Sequence, residues 1–274
     1  MQDGTSGTEN QNSHQVVIAI PMFNELSVAD RVVQEVLRGV AACAFRTVIV
    51  VIDDGSNDGT QEALAILGGI NVLRHERRRG VGAALRTAIE YARESDATHL
   101  LWHVGNGRVP FRSSLKVLEA VLYDGAEYAH GSRFMPGGQT SGRVSGFRRA
   151  ALRIGNALIK SLCPSAPSDV TCGVRAIDLS AWERSAGSCL ASTGYGAEQR
   201  LCIDMMQISS SFVEVPVSVI EQPERRGSHF RWHHTVHVLW PWLSLAARLS
   251  WRKFTKRAKS AQSPIHQCLP RSVK

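Results

Sequence analysis

Thr47-Val-Ile-Val-Val-Ile52-Asp53-Asp54-Gly-Ser-Asn-Asp-Gly59-Thr60 is the stretch whose reading decides the fold. A run of β-branched residues with no polar alternation predicts a strand buried on both faces, as in a parallel sheet. The strand ends at Ile52, which puts Asp53 and Asp54 at its carboxyl end, where ligands bind in open α/β sheets. Gly55 to Gly59 form the turn. A helix opens near Gln61, with Asp58 or Thr60 as its cap. Adjacent carboxylates there serve either to cap the turn or to clamp ribose hydroxyls, base nitrogens or a metal.

The same alternation extends outward in both directions. QVVIAIP before Met22 predicts a first strand, and apolar residues at 32, 33, 36, 37 and 40 predict the helix after it. A short strand at 70–73 precedes the Arg77-Arg78-Arg79 run. Gly80-Val81-Gly82 opens a helix to Arg93, and THLLWHV at 98–104 is a fourth strand. A helix from about Ser113 to Tyr123 follows. Strands alternating with helices at this interval predict an α/β fold with a mostly parallel, doubly wound sheet flanked by helices. Gly80-Val81-Gly82 reads as packing, since a single GxG at a helix start is weak evidence for phosphate.

The second half is less regular. AHGSRFMPGG at 129–138 leaves a strand for a glycine-rich loop, 143–162 is a basic amphipathic helix, and 168–177 is polar before it enters a strand. A helix is expected over 194–207 and one alternating strand over 213–221. The expected organisation is a disordered leader (1–14), one domain (15–230) and an amphipathic, basic carboxyl-terminal segment (231–274).

Of the 274 residues, 43% are hydrophobic, enough for a full core. The net charge of +8 is concentrated in residues 225–274, which hold eleven Lys and Arg and no acid. The first 224 residues carry 21 basic groups against 24 acidic ones. Such a tail suits an anionic surface. The six cysteines lack CxxC spacing, so neither a zinc site nor a disulfide framework is indicated, and a reducing, cytoplasmic setting fits. The first fifteen residues lack the apolar core of a signal peptide. The apolar run VLWPWLSLAA at 238–247 is too short to span a bilayer. With Trp232, Trp240, Trp242 and Trp251 and the cations after it, this run reads either as an interfacial helix on anionic lipid or as a helix capping the domain. No nucleic-acid motif is present. The turn after the first strand lacks the glycines of a dinucleotide site.

Four segments in order, IAIPMFNEL, IVVIDDGSNDGT, HGSRFMPGG and the helix reaching Gly155-Asn156, resemble family 2 glycosyltransferases, most of all the dolichyl- or polyprenyl-phosphate sugar transferases. The resemblance covers roughly residues 15 to 230. It implies a glycosyltransferase-A fold, a nucleotide-sugar donor and inverting displacement at the anomeric carbon. It places Pro21, Phe23, Asn24 and Glu25 around the base and ribose, with Asp53 and Asp54 on the same nucleotide. Arg133 falls near the donor phosphates, and Arg148 or Arg149 at a basic position before Asn156. Asp169 falls near the acceptor, with Arg175 in the following element; these two are the catalytic candidates, Asp169 as the base for a hydroxyl acceptor or otherwise as the residue that orients Arg175. Arg226 is a further candidate for the diphosphate.

The resemblance also implies Mg²⁺ or Mn²⁺, held by an Asp-x-Asp at the end of the fourth strand. Here those two places carry His103 and Gly105, so no metal ligand is assigned, and His103 is left to bind a softer metal, to hydrogen-bond a phosphate or simply to pack. A carboxylate expected two residues after Glu198 is replaced by Arg200. The expected partners are a nucleotide-sugar and a lipid-phosphate or small-molecule acceptor, with peripheral membrane contact through 232–259 at the inner face of the membrane. The alternative reading is a catalytically degenerate nucleotide-sugar-binding or regulatory protein of the same fold.

Overall fold

The computed structural model describes residues 14–142, 146–185, 194, 196–221 and 238–248. A seven-stranded sheet forms the centre, built from β1 (Gln15–Met22), β2 (Arg46–Asp53), β3 (Asn71–Arg74), β4 (His99–Trp102), β5 (Tyr128–Ser132), β7 (Arg175–Asp178) and β8 (Phe212–Pro216). Their order across the sheet is β3-β2-β1-β4-β7-β5-β8. Every neighbouring pair is parallel except the two made by β7, which runs antiparallel to both β4 and β5. This is the mostly parallel, doubly wound sheet expected from the alternation of strands and helices.

The central strands are apolar on both faces because both are covered. Along β1, Val16, Ile18 and Ile20 enter one core with α1 (Ala29–Val40) and α4 (Phe111–Leu122). Val17 and Ala19 enter the other, with α3 (Val81–Glu94), α7 (Gly196–Ile208) and a helix at 238–248, here α8. The two-residue period of a strand thus feeds both layers. The short α2 (Thr60–Ala65) follows β2, and α6 (Leu179–Glu183) follows β7. Asp178 caps α6 by accepting from the Ser180 and Ala181 amides.

The alternating run 213–221 departs from expectation by splitting into two strands. Pro216 ends β8, and the next amide, Val217, donates to the Ser132 carbonyl at 3.0 Å. The chain then forms β9 (Ser218–Glu221), which pairs with β6 (Gln139–Gly142) in a separate two-stranded sheet. Proline cannot donate to a ladder, so the bend falls there. The basic helix α5 (Gly146–Leu162) lies between β6 and the polar segment that leads into β7.

Candidate active site

Strands β1, β2, β4 and β5 point the same way, so their carboxyl ends share one edge of the sheet. Antiparallel β7 brings its amino end, and the 168–174 segment before it, to that edge. All the sequence-derived candidates within the described residues follow one of these ends. Apart from Arg175 and His103, most of them form two groups.

The first group joins the turns after β1 and β2. The Asp54 amide donates to the Met22 carbonyl at 2.9 Å, closing one turn on the other. Asn24 has φ 54, and its amide donates to Ser56 Oγ at 2.9 Å while its own Oδ1 accepts from the Asn57 amide at 2.9 Å. The Glu25 amide donates to Thr60 Oγ1 at 2.9 Å. Asp58 bonds Leu26 and Thr60 across the same gap. Pro21 is the seventh residue of β1, beside this turn.

Asp53 and Asp54 are both buried, yet they do different work. Asp54 is saturated: its Oδ1 accepts from His75 Nδ1 at 2.7 Å and the Arg79 amide at 2.9 Å, and its Oδ2 from the Gly80 amide at 2.7 Å. Its task is to hold the 77–80 loop against the sheet edge. Gly55 (φ 75) makes this approach possible, because a Cβ there would lie 2.6 Å from the Arg77 carbonyl carbon. Asp53 Oδ1 accepts from the Ser56 amide, whereas its Oδ2 accepts no hydrogen bond among the described residues, with Arg74 Nε 3.7 Å away. A buried carboxylate oxygen without a donor calls for a partner. Phe23 carries the Arg78 guanidinium over its ring, 4.3 Å from the centroid.

His75 is the member of this group whose role the sequence did not reveal. It bridges Asp54 to Thr87 Oγ1, 2.9 Å from its Nε2, and so ties α3 to the turn. The available signal was its place just past the third strand.

The second group centres on Arg133 and Asp169. Arg133 donates from Nε to Oδ2 of Asp169 at 2.6 Å and from Nη2 to Oδ1 at 2.7 Å, a two-pronged pair, and its amide adds a third bond at 3.1 Å. Thr171 Oγ1 also donates to Oδ1 at 2.8 Å. Asp169 is fully buried and Arg133 nearly so. Burial alone would raise this carboxyl, but the bonds and charge of Arg133 outweigh it and hold the group below the ordinary carboxylate range. Two residues expected at donor and acceptor are therefore a single clamp.

The expectation that Asp169 orients Arg175 needs correction. Arg175 is completely buried and reaches back into the domain, its Nη1 donating to the Glu198 carbonyl at 2.6 Å and its Nη2 to the Cys172 carbonyl at 2.8 Å. Its Nε has no hydrogen-bond partner among the described residues. Glu198 in turn accepts from the Trp102 indole at 3.0 Å. These bonds tie β7 and the 168–174 segment to α7, a positioning role. Arg200, at the expected carboxylate position, pairs with Asp204 at 3.0 Å.

His103, another of the donor candidates, turns into the core. It is 1% exposed, with Nδ1 2.7 Å from Ser114 Oγ and its ring edge-on to Phe111. Burial pulls its pKa down to about 4, so it is a neutral, packed histidine. At Gly105 a Cβ would stand 2.2 Å from the Pro21 carbonyl oxygen and 2.7 Å from Met22 Cγ. The backbone there lies flat against the end of β1, and no side chain fits. The residues present thus do not suit a hard divalent ion: one is an inward imidazole, and the other position admits no side chain. Among the described residues, no group of three or more His, Cys, Asp or Glu could hold a metal.

His130, under the second group, went unremarked in the sequence. It is completely buried, with Nε2 2.8 Å from the Asp169 carbonyl oxygen. Burial and the Arg175 charge bring it to about 4, so it too is neutral. The side chain of Arg148 and all of Arg226 lie outside the described residues. Two clefts, of about 460 and 530 Å³, lie apart from both groups. One lies between α1 and the start of α4, the other beside His14, His99 and Asp178.

Comparison with known proteins agrees with this architecture. Residues 17–105 match Glycosyl transferase family 2. The chain is 29% identical over 216 residues to polyprenol monophosphomannose synthase of Mycolicibacterium smegmatis, covering 77% of this chain and 79% of that one. It is 32% identical over 135 residues to the uncharacterized protein MJ1222 of Methanocaldococcus jannaschii, covering 49% of this chain and only 53% of that protein. Among solved structures, mannosyl-3-phosphoglycerate synthase from Rubrobacter xylanophilus superposes with a TM-score of 0.60 at 18% identity, over 94% of this chain and 79% of that one. Glucosyl-3-phosphoglycerate synthase from Mycobacterium tuberculosis, in complex with Mn²⁺, UDP-glucose and phosphoglyceric acid, gives 0.54 at 18%, over 78% and 73%. At such identity the superpositions speak for the fold, and the sequence matches speak for the family. The chain thus has a glycosyltransferase-A fold, and its sequence is similar to that of family 2 glycosyltransferases.

Proposed function

We propose that this chain transfers a sugar from a nucleotide-sugar to a polyprenyl phosphate, or another phosphate-bearing lipid acceptor, by inverting displacement and without a divalent ion. One observation carries the reading of the acceptor. Asp169, which the resemblance sets near the acceptor, is a buried carboxylate saturated by Arg133 and Thr171, with its basicity lowered. A hydroxyl nucleophile needs a base within reach to take its proton. A phosphate oxygen is ionised already and needs only positive charge beside it. The similarity to polyprenol monophosphomannose synthase supports the same acceptor class.

In this reading the first group holds the donor. Asp53, whose buried Oδ2 accepts no hydrogen bond among the described residues, accepts from a base N–H or a ribose hydroxyl, and Phe23, with Arg78 over its ring, lies beside the base. Glu25 and Asn24 shape the same turn. An oxygen of the acceptor phosphate attacks the anomeric carbon from the face opposite the nucleotide, and the bonding pair of the breaking C–O bond leaves with the nucleoside diphosphate. Fixed cations can stabilise that leaving charge where a metal usually does. Arg133, set in place by Asp169, is the described candidate, while Arg148 and Arg226 remain proposals from sequence. This is the basis for metal-free transfer; the Mn²⁺ belongs to the mycobacterial structure. A cytoplasmic enzyme working at the inner face of the membrane goes with this reading, and among the described residues no helix is long and apolar enough to cross a bilayer.

The altered positions His103, Gly105 and Arg200 also favour a second reading, a binder that retains the nucleotide site without turnover. A panel of UDP-, GDP- and dTDP-sugars with a polyprenyl phosphate, scored for product and for thermal shift with and without EDTA, separates the two. Product that survives EDTA supports the proposal. Loss of product in EDTA overturns metal independence, and thermal shifts without product favour the binder.

A further inference from the structure

His75 has no part in the proposed transfer, yet it is the buried end of an otherwise exposed stretch. Residues 76–79 are all exposed, while His75 before them is 6% exposed. Its amide donates to the Asp53 carbonyl at 2.9 Å, which ties its backbone to the end of β2. Its ring spans two elements, with Nδ1 2.7 Å from Asp54 Oδ1 and Nε2 2.9 Å from Thr87 Oγ1. A carboxylate can only accept, so the Nδ1 proton points at Asp54. In the neutral ring Nε2 then accepts from the Thr87 hydroxyl.

These bonds close a ring around the arginine loop. Asp54 accepts from the Arg79 and Gly80 amides, and the Gly80 carbonyl accepts from the Ala83 and Ala84 amides as α3 begins. Thr87, on the second turn of α3, returns to His75. The stretch caught inside is Glu76 to Arg79. Within it the Arg78 guanidinium lies over Phe23, 4.3 Å from the ring centroid, at the turn proposed to hold the donor. An exposed arginine loses rotamer freedom when a ligand fixes it. A backbone already held beneath it reduces that cost, which is how preorganisation raises affinity. Without the imidazole, Asp54 Oδ1 would retain one amide and lose its tie to α3.

We infer that His75 is a positioning residue for the donor nucleotide. By bridging Asp54 to Thr87 it fixes the loop that seats Arg78 over Phe23, and so sets nucleotide affinity without touching the nucleotide. The inference rests on the proposed reading of the first group as the donor site. A histidine that served stability alone would behave differently: its loss would lower the melting temperature and leave the affinity of the folded protein unchanged.

The test is isothermal calorimetry of the full-length protein with UDP, GDP and dTDP, continued with whichever wild type binds tightest. His75→Ala should weaken binding by about fivefold or more. His75→Asn, whose amide N–H can stand where the Nδ1 proton does, should stay within about twofold of wild type. Arg78→Ala should weaken binding about as much as His75→Ala, and the double variant should be no weaker than Arg78→Ala by more than about twofold, because nothing is left to position. If His75→Ala does not fold, Thr87→Val takes its place, with a loss of about threefold and the same lack of additivity expected. The inference is overturned if the variant used binds as tightly as wild type, if Asn does not rescue, or if the losses at the two positions multiply. In each of those cases wild type still binds, and the donor reading stands. Wild type that binds none of the three nucleotides overturns the donor reading itself, and this inference with it.

Discussion

Replacing Asp169 by Asn isolates the clamp at the centre of the second group. The shape is nearly conserved, but one carboxylate oxygen becomes an amide that turns donors toward donors. Arg133 loses a two-pronged ion pair, and its amide loses an acceptor. Breaking a buried pair on one side typically costs about 3–5 kcal/mol. The Arg133 side chain retains 10% exposure and can partly reach water, so the lower end applies, about 3 kcal/mol. For a domain of this size that is roughly 6–12 °C in melting temperature. The pH dependence gives an independent check. The folded carboxyl titrates below its unfolded value of about 3.9, so its contribution is complete above that pH and is lost as pH falls through the folded value. Asn has no such titration. The gap between wild type and Asp169→Asn, measured by urea unfolding from pH 7 to 3, should therefore be widest at neutrality and shrink below about pH 4. A neutral gap under about 1 kcal/mol, or one unchanged down to pH 3, would refute the clamp.

Three further outcomes follow from the same geometry. Gly105→Ala should cost about 2–3 kcal/mol, because its Cβ would collide with the Pro21 carbonyl; His103→Asp/Gly105→Asp should unfold or stay unable to bind Mn²⁺, judged by calorimetry. Burial keeps His103 and His130 near 4, while the unfolded chain takes protons near 6.5, so stability should fall as pH drops from about 6.5 toward 4. Denaturation of wild type against His103→Asn at pH 7.5 and 5 checks this, the variant losing less on acidification. Trp242→Ala should cost about 3–5 kcal/mol and Trp242→Phe about 1 kcal/mol, read as urea midpoints, since the first empties a packed site and the second removes only the bond to Gln199.

The first half of the fold was legible because each parallel strand is a closed apolar run and each helix keeps its period. Asp53 and Asp54 fell where a strand-end argument puts them, yet nothing in the local sequence separates their roles. Asp54 is spent on backbone amides 25 and 26 residues away, and Asp53 keeps an oxygen open. Long-range saturation of this kind has no signature in spacing. For the same reason Arg133 and Asp169, 36 residues apart, were read as serving different substrates. His103 shows the converse. Its place in the motif pointed outward, but its ring turned to Ser114, eleven residues on, because a strand end next to an apolar helix gives an imidazole somewhere to pack. The split at Pro216 was visible in principle, since proline within an alternating run argues against one continuous ladder.

The remaining question is how a site without the acidic pair could serve the proposed transfer. At the end of β4 the loss is structural: Gly105 lets the backbone close on Pro21, leaving no room for a ligand that a single substitution could restore. That closure brings the β4 end against the turn proposed to hold the nucleotide. A site arranged this way must find positive charge elsewhere for a leaving diphosphate. The segment from Glu127 to Asp169, which supplies Arg133, has six cations and no acid. The same segment carries α5, with its aliphatic outer face. The proposed phosphate-bearing acceptor suits such a stretch, since its phosphate needs cations and no base. A hydroxyl acceptor would require a base that Asp169, gripped by Arg133, does not provide.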